Sequence, residues 1–143
     1  MADYKRILGV DYGDARTGLA LSDLSGTLAS GIGTVKATGM RKTAEAVAET
    51  AKKHAATEIV LGLPVNMNGT EGPRAEKARA FAAMLGEMTG LPVVLFDERL
   101  TTSAAHQIMN LTDTRGKKRK EKVDALSAEI ILQDYLDSKK RNF

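Results

Sequence analysis

The chain has 143 residues, of which 43% are hydrophobic, 27% charged and only 4% aromatic, with no cysteine, no tryptophan and a net charge of +3. That length and apolar content suit one globular domain spanning residues 1–143 and exclude wholesale disorder. The absence of cysteine excludes a disulfide scaffold and thiolate metal sites; no apolar run approaches the about 18 residues of a membrane helix; and Met1–Arg6 leads straight into a strand rather than a signal peptide, so the expected location is the cytoplasm.

The first element is the apolar run Ile7-Leu8-Gly9-Val10, a strand that ends on Asp11. Gly13 and Asp14 suit a tight hairpin into a second strand, Arg16 to Asp23. An acid closing an apolar strand fits two roles, a turn residue or a member of a site at the strand ends of an α/β sheet. A third strand follows around Thr27 to Lys36, weakened by Gly31 and Gly33, which completes an antiparallel meander.

The periodicity then changes. Arg41 to Ala56 is rich in Ala, Glu and Lys, and Ala44, Val47, Ala48 and Ala51 recur at helical spacing, with His54 as a C-terminal cap or surface residue. Glu58 to Leu63 reads as a strand buried on both faces, stopped by Pro64. The loop Val65 to Thr70 contains Asn68-Gly69 and leads to a helix from Gly72 to Thr89. It is either an ordinary strand-to-helix loop or a place where free backbone amides meet a phosphate. That helix turns Ala75, Ala78, Ala82, Leu85 and Met88 inward, and its Arg74, Lys77 and Arg79 read as solvent-facing charges. Pro92 to Phe96 is the fifth strand, closed by Asp97-Glu98-Arg99. Thr101, Thr102 or Ser103 can cap a short helix containing Ala104, Ala105, Ile108 and Met109, with His106 on its surface.

Six of the 21 basic residues but only one of the 18 acids lie between Arg115 and Lys122, so the positive charge is local and the remainder of the chain is slightly negative. Such a cluster is either a solvated loop or a grip on a polyanion. Leu111 to Arg119 reads as a connector, and the final helix runs from Lys120 to Ser138. Asp124, Ala128, Ile131 and Tyr135 fall on one stripe of it. An acid near a helix start compensates the helix dipole; an acid in line with a buried stripe needs a partner.

The order β-β-β-α-β-α-β-α-α predicts a five-stranded mixed sheet, antiparallel strands then parallel ones, with helices on both faces. With the first strand central, Asp11 and Glu98 emerge at one sheet edge, and a last helix packed across the sheet brings Asp124 toward them. Three converging carboxylates repel one another unless a cation sits between them, and oxygen-only ligands suit Mg²⁺ or Mn²⁺.

Gly9-Val10-Asp11-Tyr12-Gly13 leading to Arg16-Thr17-Gly18-Leu19-Ala20-Leu21-Ser22-Asp23 resembles the opening motif of the YqgF family, whose members are described as pre-16S rRNA nucleases or as Holliday-junction-resolvase-like proteins. Gly62-Leu63-Pro64 with Asn68-Gly69 resembles its second block. Asp97-Glu98-Arg99-Leu100-Thr101-Thr102 is similar to its third and most distinctive block. Asp124-Ala125, Ala128 and Ile131-Leu132-Gln133-Asp134-Tyr135-Leu136 resemble its last, with Ser127 where the family usually has alanine. The resemblance implies a ribonuclease-H-like α/β fold and a two-metal site held by Asp11, Glu98 and Asp124. It leaves Arg99 either holding a phosphate or bracing Glu98.

The leading expectation is a metal-dependent endonuclease that processes the 5′ end of precursor 16S rRNA. Asp11, Glu98 and Asp124 would be both catalytic and metal-binding, and Arg99, Lys117, Lys118, Arg119 and Lys120 would contact nucleic acid. Precursor ribosomal RNA is the expected partner, with ribosomal particles as a further one. The RNA assignment comes from the resemblance alone. A Holliday-junction resolvase acting on DNA is the alternative and would require a dimer; the sequence leaves monomer or homodimer open. Two other classes compete. A nucleotide-dependent phosphotransferase is suggested by the strand-Asp-x-Gly hairpin, but that architecture needs two domains. A non-catalytic RNA-binding assembly factor that kept the fold is opposed by the intact acids, and the few aromatic residues point to backbone and shape recognition rather than base stacking.

Overall fold

The computed structural model describes residues 5–13, 15–100 and 116–141, except for the side chains of 100, 116–124 and 140–141. The elements follow the predicted order. They are β1 (Ile7–Asp11), β2 (Thr17–Ser22), β3 (Ala29–Val35), α1 (Met40–Lys53), β4 (Glu58–Leu63), α2 (Pro73–Thr89) and β5 (Val93–Asp97). A 3₁₀ turn (Glu98–Leu100) comes next, and then α3 (Gly116–Arg141). The sheet order is β3-β2-β1-β4-β5. β1 pairs antiparallel with β2, and parallel with β4, which pairs parallel with β5. The carboxyl ends of β1, β4 and β5 therefore share one edge, the place where open α/β sheets build their sites.

Each face of the sheet has its own core. Leu8, Val10, Ile59 and Leu61 pack beneath α1 and α2, together with Ala44, Val47, Ala78 and Leu85. Ile7, Val60 and Phe96 pack beneath α3 with Ala128, Ile131, Leu132 and Leu136. The sequence reading of α2 named an alanine-rich stripe ending at Met88. The fully buried Phe81 belongs to it as well, while Met88 is only partly buried. Phe81 lies three residues after Ala78 and four before Leu85, so helical spacing puts it on the same face. Its ring stacks on Tyr12 with centroids 4.3 Å apart and planes 18° apart, fixing the residue that follows Asp11.

Two boundaries differ from expectation in an informative way. α3 starts at Gly116 rather than Lys120, because Lys, Arg and Glu are good helix formers whatever their charge, so the basic run is the helix's first turns rather than a connector. β5 ends on Asp97, one residue later than predicted. His54 caps α1, its backbone N–H donating to the Thr50 carbonyl at 3.1 Å. The expected short helix over 101–110 and the connector over 111–115 lie outside the described residues, as does Asp14.

The chain's last helix also secures the sheet. At its C-terminal end the Tyr135 hydroxyl donates to Glu58, which opens β4, and Lys139 Nζ sits 3.4 Å from the same carboxylate and 4.9 Å from the Tyr135 ring centre. Burial pushes the Tyr135 phenol up from its ordinary pKa, and the neighbouring Glu58 carboxylate adds to the shift. At the sheet margin Gln133 Oε1 accepts from the Ala29 amide at 2.9 Å while its Nε2 donates to the Thr27 carbonyl at 2.9 Å. Glu129 Oε1 accepts from the Gly31 amide at 2.7 Å. Among the described residues no helix is long and apolar enough to cross a membrane.

Candidate active site

Strand alternation assigns faces at the carboxyl edge. Ile7 lies in the core beneath α3, so Gly9 and Asp11 face the same way. The β1–β4 register pairs Val10 with Leu61, and one further step brings Asp11 level with Gly62 on the neighbouring strand. On its other side Asp11 pairs with Gly18 of β2. Asp11 thus stands between two strands that offer no side chain at its level.

Gly62 matters for a second reason. A Cβ placed there would lie 2.9 Å from Glu98 Oε2, 3.2 Å from Glu98 Cγ and 2.7 Å from Ile131 Cδ1. The Glu98 side chain, carried by the 3₁₀ turn after β5, therefore folds back over β4 into the space a side chain at 62 would fill. Adjacent strands are about 4.8 Å apart, which brings Glu98 beside Asp11 on the α3 face. Gly62→Ala should leave the fold standing, because both clashing groups are side-chain ends that can yield, at a cost of about 1 kcal/mol. It should nevertheless displace Glu98. Cleavage assays paired with urea melts should show activity falling at least about tenfold while the melt moves little.

Asp124 occupies the stripe position of α3 one turn before Ala128. The Ala128 carbonyl oxygen lies 3.2 Å from a Cβ built on Gly9, and Ile131 meets Gly62. Because Tyr135 reaches the start of β4, α3 runs antiparallel to β1 and β4, and its earlier turns approach the edge where Asp11 and Glu98 stand. The Asp124 side chain lies outside the described residues. So do those of Lys117, Lys118, Arg119 and Lys120, which occupy the first two turns of α3. Among the described residues no group of three or more acids, histidines or cysteines is placed to hold a metal ion.

Arg99 pairs with Asp97 in the turn that follows β5. Its Nη2 lies 2.7 Å and its Nε 3.1 Å from Asp97 Oδ2, and its backbone amide donates to Asp97 Oδ1 at 2.9 Å. It therefore braces Asp97. The Arg99 guanidinium holds the Asp97 carboxyl below its usual pKa. The stability this adds is present above the ordinary Asp pKa and is lost as pH falls through the lowered one. Both side chains keep solvent contact, so the pair adds little to stability. Its use is geometric, since it clamps the turn that aims Glu98. Sequence reading missed Asp97 as that partner, although an Asp two residues before an Arg at a strand end was the available signal.

A family model described as RuvX, Holliday junction resolvase, matches residues 5–138. The chain belongs to the RuvX family. Its relatives include proteins named "Putative pre-16S rRNA nuclease". The one from Thermoanaerobacter pseudethanolicus is 44% identical over 136 residues, covering 94% of this chain and 98% of the relative. The one from Listeria innocua is 46% identical over 135 residues, covering 93% and 98%. The YqgF resemblance drawn from the motifs therefore holds across nearly the whole chain. Thermus thermophilus RuvC, solved in complex with a Holliday junction substrate, superposes with a TM-score of 0.62 at 14% identity, covering 97% of this chain and 98% of that one. Fowlpox virus resolvase, solved with Holliday junction DNA, gives 0.59 at 10% identity, covering 94% and 98%. At such identities the likeness speaks for the fold, and this RuvX chain has the ribonuclease-H-like mixed sheet that its sequence predicts.

Proposed function

We propose that this RuvX protein is a metal-dependent endonuclease that hydrolyses phosphodiester bonds in nucleic acid, and that it processes the 5′ end of precursor 16S rRNA in the cytoplasm. What supports the reading is the packing of Glu98 over Gly62, the residue level with Asp11 on the neighbouring strand, on the face of the sheet covered by α3. The names of the relatives supply the RNA substrate.

The donor set fits a hard divalent cation, because Asp11 and Glu98 offer only carboxylate oxygens and Asp124 would add a third. When bound, Mg²⁺ or Mn²⁺ activates a water and stabilises the leaving oxygen of the phosphodiester. The protein's own contribution is to fix the acids. Tyr12, stacked on Phe81, anchors the chain next to Asp11; the Asp97–Arg99 clamp holds the turn bearing Glu98; and Gly62 leaves the space. Lys117, Lys118, Arg119 and Lys120 would hold backbone phosphates that the acids alone would repel.

A second reading has specific support. The family description and the fold shared with two junction-bound resolvases favour a four-way DNA junction as an alternative substrate. One assay separates them: the purified chain is incubated in Mg²⁺ or Mn²⁺ with precursor small-subunit rRNA carrying its flanks, and separately with a four-way DNA junction. Cutting of the RNA alone is the expected result. Cutting of the junction alone would replace the RNA reading with the resolvase, and cutting of neither would overturn the nuclease.

A further inference from the structure

The carboxyl edge of the sheet has a second side. Asp11 faces α3, but Tyr12 faces the opposite core, beneath α1 and α2. There the structure contains a small cavity of about 160 Å³ lined by Tyr12, Gly13, Pro64, Arg74 and Lys77. Its two cations come from the start of α2, where Arg74 and Lys77 are three residues apart and so share a helix face. Arg79 belongs elsewhere: its Nε and Nη2 each lie 2.6 Å from a Glu71 oxygen, and it does not line the cavity. The sequence alone treats these three cations alike, and the structure separates them.

We propose that this cavity binds a backbone phosphate of the nucleic acid strand, next to the one presented to Asp11 and Glu98. The inference rests on the nuclease reading above and adds a substrate contact to it. Position, electrostatics and shape carry it. Tyr12 and Gly13 are one and two residues from Asp11, so at most about 8 Å of chain separates the cavity rim from the acid. A strand crossing this edge passes from the α3 face to the α2 face, and phosphates on both sides need cations because the acids between them repel a polyanion. The walls are preorganised: Tyr12 is pinned by Phe81, and Pro64 closes β4. Gly72 caps α2 without a side-chain hydrogen bond, so the first-turn amides add their partial positive charge beside Arg74. The volume is several times the roughly 30 Å³ share of a water, enough for a phosphate group with its hydration.

The test compares wild type with Arg74→Ser/Lys77→Ser. Binding of fluorescent precursor 16S rRNA is followed by anisotropy across 50 to 200 mM KCl in Ca²⁺. Loss of two phosphate contacts should flatten the slope of log K against log salt by about 1.4 for single-stranded RNA. Arg74→Lys/Lys77→Arg should keep the wild-type slope, and so should Arg79→Ser. Both cavity side chains are exposed on α2, so thermal melts should stay unchanged and report that the variant is folded. An unchanged slope with wild-type cleavage intact would overturn the cavity and spare the nuclease. Absence of RNA binding by the wild type would overturn both.

Discussion

Asp11→Asn is expected to abolish cleavage while leaving the protein folded and, without metal, no less stable. The amide has the shape of the carboxylate it replaces, and it removes one of two acids at the carboxyl edge of the sheet, where Glu98 folds over Gly62 and Asp11 stands level with Gly62 on the neighbouring strand. Like charges near one another repel, so losing one relieves the folded state. The effect on rate should be far larger. Even an outer-shell partner of a metal ligand is worth about 10 to 100-fold, and a direct ligand should exceed that. Melting curves give an independent readout. Mg²⁺ at millimolar concentration should raise the melting temperature of the wild type by mass action and leave Asp11→Asn unmoved. Normal cutting by the mutant would remove Asp11 from the chemistry.

The second large effect is expected from Gly9→Ala, a substitution that adds one methyl group at the middle of β1. That methyl would lie 2.7 Å from Leu132 Cβ and 3.2 Å from the Ala128 carbonyl oxygen. Neither is the end of a flexible side chain; both move only if α3 moves. The helix must lift from the sheet, at a cost of about 1–3 kcal/mol, and its first turns carry Asp124 with it. The same substitution at Gly86 in α2 is expected to act in the opposite direction. There the nearest atoms, Val93 Cγ2 and the Leu91 carbonyl oxygen, are 3.7 and 3.9 Å from the new methyl, an ordinary contact. Helix propensity should then stabilise the protein by up to about 1 kcal/mol. Urea midpoints of the two variants should fall on either side of wild type; a Gly9→Ala midpoint at or above wild type would show that α3 does not press on β1.

These two glycines mark where the sequence was readable and where it was not. The strand ending on Asp11 and the strand leading to Glu98 were legible because short aliphatic runs bounded by Gly, Pro and acids have few alternatives. That the sheet is mixed followed from three meandering strands and the alternation of helices and strands after them. The close approach of α3 to Gly9 was not legible, since a glycine in a strand pattern only suggests that some backbone comes near. The start of α3 was hidden by charge, because Lys117 to Lys122 carries helix propensity but no apolar stripe to reveal it. The partner of Arg99 was only half legible: an Asp two residues before an Arg is a signal, but Asp97 and Glu98 are consecutive, and the turn after β5 decides which of them the guanidinium reaches. Phe81 was the avoidable omission, since its spacing matched the stripe already drawn through Ala78 and Leu85.

The grip of Gln133 on β3 has a bearing on how two copies of this chain could associate. An outermost strand normally advertises its amides and carbonyls to any passing strand and so invites end-to-end growth of sheets. Here one glutamine amide behaves as a substitute peptide group, accepting at Ala29 and donating at Thr27, and Glu129 occupies the next amide at Gly31. The first half of the strand is thereby closed to newcomers by the protein's own last helix. A symmetric pair built to cut two strands of a junction at once would have to meet elsewhere than along this part of β3, and the surface it used would set the spacing of its two cutting centres.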